Sequence, residues 1–114
     1  MSNNFLFICS RNQWRSRTAE DIFKSTEGLN VRSAGTSNSA RIKVNEKLID
    51  WADLIFVMEK RHKQLLNQQF SSLLAEKQII LLDIPDEYQY MDVELIEMLK
   101  AGVEPYCPAG GTTT

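Results

Sequence analysis

The chain has 114 residues, 43% of them hydrophobic and 25% charged, with a net charge of −2. This is ordinary usage for one folded domain with its own core, and it excludes a disordered tail, a fibrous repeat and a disulfide scaffold. The charge is uneven: residues 1–63 carry 11 Lys/Arg against 7 Asp/Glu, and residues 64–114 carry 2 against 8. Local positive charge in an acidic chain points to a small anionic ligand, and the absence of a basic stripe with interleaved aromatics argues against nucleic acid.

In chain order, Phe5-Leu6-Phe7-Ile8 is a continuous apolar run of strand length, the kind that suits a buried parallel strand. Thr18-Ala19, Ile22-Phe23 and Thr26 then recur at helical spacing, with Gly28 in the position of a C-cap. Leu29 to Ala34 reads as a second strand closed by Gly35, and the Ser/Asn-rich residues 36–43 as a loop. Val44, Leu48 and Ile49 form a short helical stripe. Leu54 to Met58 is the clearest strand. Lys60 to Phe70 is a helix with Leu65, Leu66 and Phe70 inward. Ile79 to Leu82 is a fourth buried strand. Asp92 is an N-cap for Val93 to Lys100, whose Leu95, Ile96 and Leu99 face the core, with Gly102 ending the helix. Strands alternating with helices predict a three-layer α/β/α fold with a four-stranded parallel sheet and right-handed crossovers. The expected domain is 1–103, followed by a flexible tail over 104–114.

No apolar run approaches the roughly 20 residues that span a bilayer. The first residues lack the basic start and small-residue cleavage site of a secretory leader. Cys9 and Cys107 allow at most one disulfide and lack a zinc-like spacing, and a reducing compartment fits best. The expected location is therefore cytoplasmic, with no membrane partner. The single histidine, His62, argues against a His-based metal site or a Ser-His triad, and no cofactor or metal is expected. Within Glu59-Lys60-Arg61-His62-Lys63 it reads as part of a solvated helix face.

The turn leaving the first strand is Cys9-Ser10-Arg11-Asn12-Gln13-Trp14-Arg15-Ser16. Ligands of open α/β sheets sit at the carboxyl ends of strands, near a helix N-terminus. Backbone N–H groups of a loop curling into a helix converge on an anion, and the helix dipole adds positive potential. Arg15 can grip two phosphoryl oxygens in a fork. The same field favours a thiolate at Cys9, and a Ser16 hydroxyl can support it. The chemistry indicated is attack of the Cys9 sulfur on phosphorus, with a phosphocysteine intermediate hydrolysed by water. A lone cysteine at a strand end is usually an inert small hydrophobe; the arginine, the serine and the strand–helix context together reverse that reading.

Cys9, Asn12, Arg15 and Ser16 match the signature Cys-x-Gly-Asn-x-Cys-Arg-Ser, and the loop resembles that of the low-molecular-weight protein tyrosine phosphatases. Ser33-Ala34-Gly35-Thr36-Ser37, Ala52 to Glu59, and Asp86-Glu87-Tyr88 resemble further blocks of that family in the same order. The resemblance implies Cys9 as nucleophile, Arg15 as phosphate clamp and Ser16 as support for the thiolate. It implies Asn12, helped by Ser33, as the holder of the loop backbone. Ser10, Arg11, Asn12, Gln13, Trp14, Arg15 and Ser16 become the phosphate-binding loop. Asp86 becomes the general acid and then the base that activates water, and Tyr88 an aromatic wall for the substrate. The expected partners are a phosphorylated protein or small phosphomonoester, with inorganic phosphate or another oxyanion in the loop.

The chain departs from the family's pattern at several points. The loop glycine is Arg11, which either adds positive charge at the site or is a solvated surface residue. The second cysteine is Trp14, which either walls the pocket or packs at the helix start. Pro85 precedes the aspartate, so Asp83 competes with Asp86; Asp86 is favoured because Tyr88 and the helix after Asp92 keep the family's order. The region from Ser39 to Trp51 is shorter than in the family, which opens the question of phosphotyrosine selectivity. The variant Cys-Ser-x-Asn-Gln-x-Arg-Ser is also similar to a much larger eukaryotic cousin that acts on phosphoserine in RNA polymerase tails. Two other functions compete. An arsenate reductase needs further shuttling cysteines, and only Cys107 remains. A non-catalytic phosphate-binding module would keep the loop alone, against which stand the retained cysteine, arginine and aspartate.

Overall fold

The structure is a computed structural model and describes residues 3–107. In chain order its elements are strand β1 (Asn4–Cys9), helix α1 (Arg15–Phe23), β2 (Asn30–Gly35), α2 (Glu46–Trp51), β3 (Leu54–Val57), α3 (Lys60–Leu74), β4 (Gln78–Leu81) and α4 (Val93–Val103). A 3-10 turn, Glu104–Tyr106, follows α4 directly. The four strands are parallel, in the order β2-β1-β3-β4.

Side chains alternate across a strand, so the apolar run of β1 serves both faces of the sheet. Phe5, Phe7 and Cys9 pack with Ala19 and Phe23 of α1 and Leu95, Leu99 and Val103 of α4. Leu6 and Ile8 pack with Leu48 and Ile49 of α2 and Leu66 and Leu74 of α3. The result is the expected three layers. The first core is held partly by aromatic contact: Phe7 stacks on Phe56 at 5.0 Å between ring centroids and on Phe23 at 5.9 Å.

The chain builds the sheet outward from β1 in one direction to β2 and then in the other to β3 and β4. The switch lies between β1 and β3, and a crevice opens beyond their carboxyl ends. Two segments border that crevice, the β1–α1 loop and the β3–α3 turn. The Ser/Asn-rich loop after β2 backs the first of them. Thr36 N–H donates to Cys9 O at 3.0 Å, Ser37 N–H to Ser10 O at 2.9 Å, and Arg41 N–H to Arg11 O at 2.9 Å. Gly35 permits this approach, because a Cβ there would lie 2.3 Å from Ser10 O.

Several sequence expectations are corrected. β4 is a half-buried edge strand, not a fully buried one, since nothing pairs with its outer side among the described residues. α3 runs four residues past Phe70, across a kink where Phe70 adopts φ −133°. Leu65 is 36% exposed, so Leu66 and Leu74 carry that face of the core, and Ile96 is only half-buried. α1 ends at Phe23 with Lys24 as its C-cap, and Gly28, at φ 87°, serves the following turn. Gly102 lies inside α4, where it clears Leu82. Within the expected tail, Glu104–Tyr106 is ordered and Tyr106 packs edge-on to Phe56, at 5.6 Å; residues 108–114 of that expectation lie outside the described residues. Among the described residues no helix is long and apolar enough to cross a membrane.

Candidate active site

β1 ends at Cys9, and the chain then curls into α1. Asn12 makes the tight bend with φ 58°, a left-handed conformation that asparagine tolerates better than most residues. The bend turns Asn12 inward, fully buried, with its backbone N–H donating to Cys9 Sγ at 3.2 Å. Asn12 Nδ2 donates to Ser16 Oγ at 2.7 Å. With that lone pair used, the Ser16 hydroxyl proton is free for Cys9 Sγ, 3.0 Å away. Sulfur thus faces two donors.

Arg15, the first residue of α1, is 2% exposed. Its Nη1 donates to Ile84 O at 2.8 Å and lies 3.1 Å from Glu59 Oε1. Its Nε lies 3.7 Å from Asp86 Oδ1. The guanidinium is therefore clamped along one side by the β3–α3 turn and the irregular segment after β4, and its Nε side faces Asp86 across the crevice. Glu59 also receives Arg61 Nε at 3.0 Å. Burial alone raises the Glu59 pKa, but the hydrogen bonds and charges of Arg61 and Arg15 outweigh it and hold the carboxyl below its ordinary value.

These groups line one cavity of about 290 Å³, formed by Cys9, Ser10, Arg11, Gln13, Trp14, Arg15, Arg61 and Asp86. Of the expected loop, Ser10, Arg11, Gln13, Trp14 and Arg15 border the cavity, while Asn12 and Ser16 sit buried beneath it. Arg11 and Trp14 are both exposed and both border the cavity. Asp86 borders the cavity; Asp83, at φ 58° in the turn before it, does not.

Three expectations differ. Tyr88 is partly buried against the core cluster on the α1/α4 side of the sheet and does not line the cavity, leaving Trp14 as its aromatic wall. Ser33 makes no direct contact with the loop: its hydroxyl donates to Glu20, whose carboxylate lies 3.8 Å from Arg41, and Arg41 Nε donates to Asn12 O at 3.1 Å. Ser33 thus connects to the loop only through the side chains of Glu20 and Arg41. His62 is not on a solvated face but fully buried. Its Nδ1 accepts from Glu59 N–H at 3.1 Å, and its Nε2 lies 3.0 Å from Ser10 Oγ. Burial lowers its pKa to about 4, with Arg15 and Arg61 adding to the effect, so the ring is neutral near pH 7.

Sequence reading passed over Glu59, Arg61, His62 and Arg41. For Glu59 and His62 a signal existed. A Glu-x-x-His opening a helix right after a buried strand is a capping box, with Glu59 at the N-cap and His62 at the third helical position. Arg41 carried none, because only the folded loop brings it to Asn12.

No family model matches the chain. The chain is 34% identical over 94 residues to a protein-arginine-phosphatase of Bacillus subtilis (strain 168), a match covering 59% of this chain and 63% of that protein's length. A crystal structure of a YwlE mutant from Bacillus subtilis superposes with a TM-score of 0.69 at 25% identity, covering 92% of this chain and 99% of that one. The fold is shared with the tyrosine phosphatase Wzb from Escherichia coli K30, solved in complex with phosphate, at a TM-score of 0.74 and 20% identity over 93% and 96% of the two chains. It is shared also with SP-PTP, a low molecular weight protein tyrosine phosphatase from Streptococcus pyogenes, at a TM-score of 0.75 and 16% identity over 96% of each chain. The chain therefore shares its fold with solved low-molecular-weight phosphatases, and its sequence is similar to that of a protein-arginine-phosphatase of which it spans less than two thirds.

Proposed function

We propose that the chain is a cysteine-dependent phosphatase that hydrolyses phosphomonoesters, phosphotyrosine in proteins above all, without a metal ion, in the cytoplasm. The observation that carries this reading is the wiring of the loop: Cys9 Sγ faces two donors, and Arg15 and Asp86 border the same cavity. In the proposed reaction the phosphoryl group sits over the loop with its oxygens on the backbone N–H groups and the Arg15 guanidinium. Cys9 Sγ attacks phosphorus. The P–O bond breaks, and Asp86 gives its proton to the leaving oxygen. Water then attacks the phosphocysteine, Asp86 takes back a proton, and the S–P bond breaks to release inorganic phosphate and the thiolate.

The test is hydrolysis of para-nitrophenyl phosphate between pH 5 and 8 in EDTA. Cys9→Ser abolishes turnover, and Asp86→Ala lowers kcat by about 10²-fold or more, the usual weight of a positioned acid. Full activity in Cys9→Ser overturns the mechanism, and undiminished activity in Asp86→Ala reopens the choice of acid.

A second reading is favoured by the 34% identity to an arginine phosphatase. In it the scissile bond is P–N, and Trp14 stacks on a planar guanidinium instead of a phenol ring. Paired peptides bearing phosphotyrosine or phosphoarginine separate the two through kcat/KM. The basic rim of Arg11 and Arg61 supports the neutral phenol over the cationic group.

A further inference from the structure

The hydrogen bonds around His62 assign its protons. Glu59 N–H points at Nδ1, 3.1 Å away, so Nδ1 is the acceptor. The ring is fully buried, with the guanidiniums of Arg15 and Arg61 nearby opposing a second proton, and Glu59 Oε1 no closer than 3.9 Å to Nε2. The neutral ring therefore carries its proton on Nε2 and donates it to Ser10 Oγ, 3.0 Å away. Ser10 uses an oxygen lone pair to accept this bond. Its own hydroxyl proton remains, and Ser10 lines the cavity beside Cys9 and Arg15.

We propose that Ser10 is an additional ligand for the phosphoryl group, its hydroxyl donating to a phosphoryl oxygen, and that His62 is the positioning residue that aims it. The inference rests on the phosphatase reading for its ligand. It adds one side-chain donor to a loop whose other donors are backbone N–H groups and Arg15. It also explains the burial of the one histidine: the β3–α3 turn reaches the β1–α1 loop through this bond, as it reaches Arg15 through Glu59.

The test uses the full chain and reads orthovanadate affinity by calorimetry together with kcat and KM for para-nitrophenyl phosphate. Ser10→Ala, at a partly exposed position, is expected to weaken vanadate binding about tenfold, the ordinary weight of a hydrogen bond to an anion. His62→Ala is expected to show the same loss and the double variant no further loss, because both act through one bond. His62→Gln, whose amide can donate to Ser10, is expected to recover part of it. Nitrogen-15 NMR of the imidazole is expected to find Nε2 protonated in wild type. Wild-type vanadate affinity in Ser10→Ala overturns the proposal, whatever His62→Ala does, and so does a ring protonated on Nδ1. Should wild type bind vanadate in a Ser10-dependent way and yet hydrolyse nothing, the phosphatase reading fails while this assignment stands.

Discussion

Glu59 and His62 share the β3–α3 turn, and each makes a bond that acid breaks: the Glu59 carboxylate holds Arg15, and His62 Nδ1 accepts from the Glu59 N–H. His62 takes its proton at an ordinary pH in the unfolded chain, near 6.5, but only at about 4 in the fold. Stability from the neutral ring is therefore complete above pH 6.5 and erodes as pH falls toward 4, because the unfolded state binds the proton first. Glu59 has a lowered pKa, so its contribution is present above the ordinary carboxylate value and is lost only below it, as pH falls through the folded value. The melting temperature is expected to decline from about pH 6.5 downward, and His62→Gln to remove the decline above pH 5. A wild-type melting temperature flat from pH 7 to 5 would contradict the burial of a neutral ring. The site's first half is legible in sequence because it is local: Cys9, Asn12, Arg15 and Ser16 fall within eight residues, and their spacing alone sets a strand end, a bend and a helix start. Glu59 and His62 are 43 or more residues from that loop and meet it only because β3 pairs with β1. In the polar run Glu59–Lys63 only the Glu-x-x-His spacing of a capping box separates a buried cap from a solvated face.

At the scale of elements, β2 and the loop after it form the back wall of the anion loop. Gly35 is where the two backbones come closest, with a Cβ at that position 2.3 Å from Ser10 O and 2.7 Å from Ala40 Cβ. A carbonyl oxygen held in the sheet's end cannot swing aside as a flexible side chain can. Gly35→Ala is expected to cost about 1–3 kcal/mol of stability, as overpacking does, and to weaken vanadate binding at the same time by pushing Ser10 outward. Chemical denaturation and vanadate titration of one sample check both; a loss of stability with unchanged affinity would detach the wall from the loop's function. The element order itself was plain from hydrophobic runs of strand length alternating with helical stripes. The errors fell where tertiary context decides. β4 has the apolar run of a buried strand but stands at the sheet edge, and Tyr88 follows the family's order yet packs against the core. Neither edge position nor the direction of a side chain in an irregular segment is encoded in local pattern.

For the whole molecule, the anion site couples loop, helix and sheet. Ligand held there touches the end of β1, the start of α1 and, through Arg15, the turn after β3 and the backbone of Ile84. None of these is assembled in the unfolded chain, so an oxyanion binds the native state alone and stabilises it by RT ln(1 + [L]/Kd). At a concentration 100 times Kd that is about 2.7 kcal/mol, which for a domain near this size raises the melting temperature by roughly 10 °C. Orthovanadate or phosphate is expected to give this rise in wild type, and Asp86→Ala to keep it, because in the proposed reaction Asp86 meets the leaving group rather than the oxyanion. Arg15→Lys is expected to lose most of it. A lysine keeps the charge, but it cannot grip two oxygens while also holding Glu59 and the Ile84 carbonyl. Thermal scans across an anion series, with chloride as the control for ionic strength, read the effect directly. An equal rise in Arg15→Lys would place the anion elsewhere on the molecule. A rise that saturates in wild type and vanishes in Arg15→Lys would tie the stability of the whole fold to one guanidinium at the start of α1.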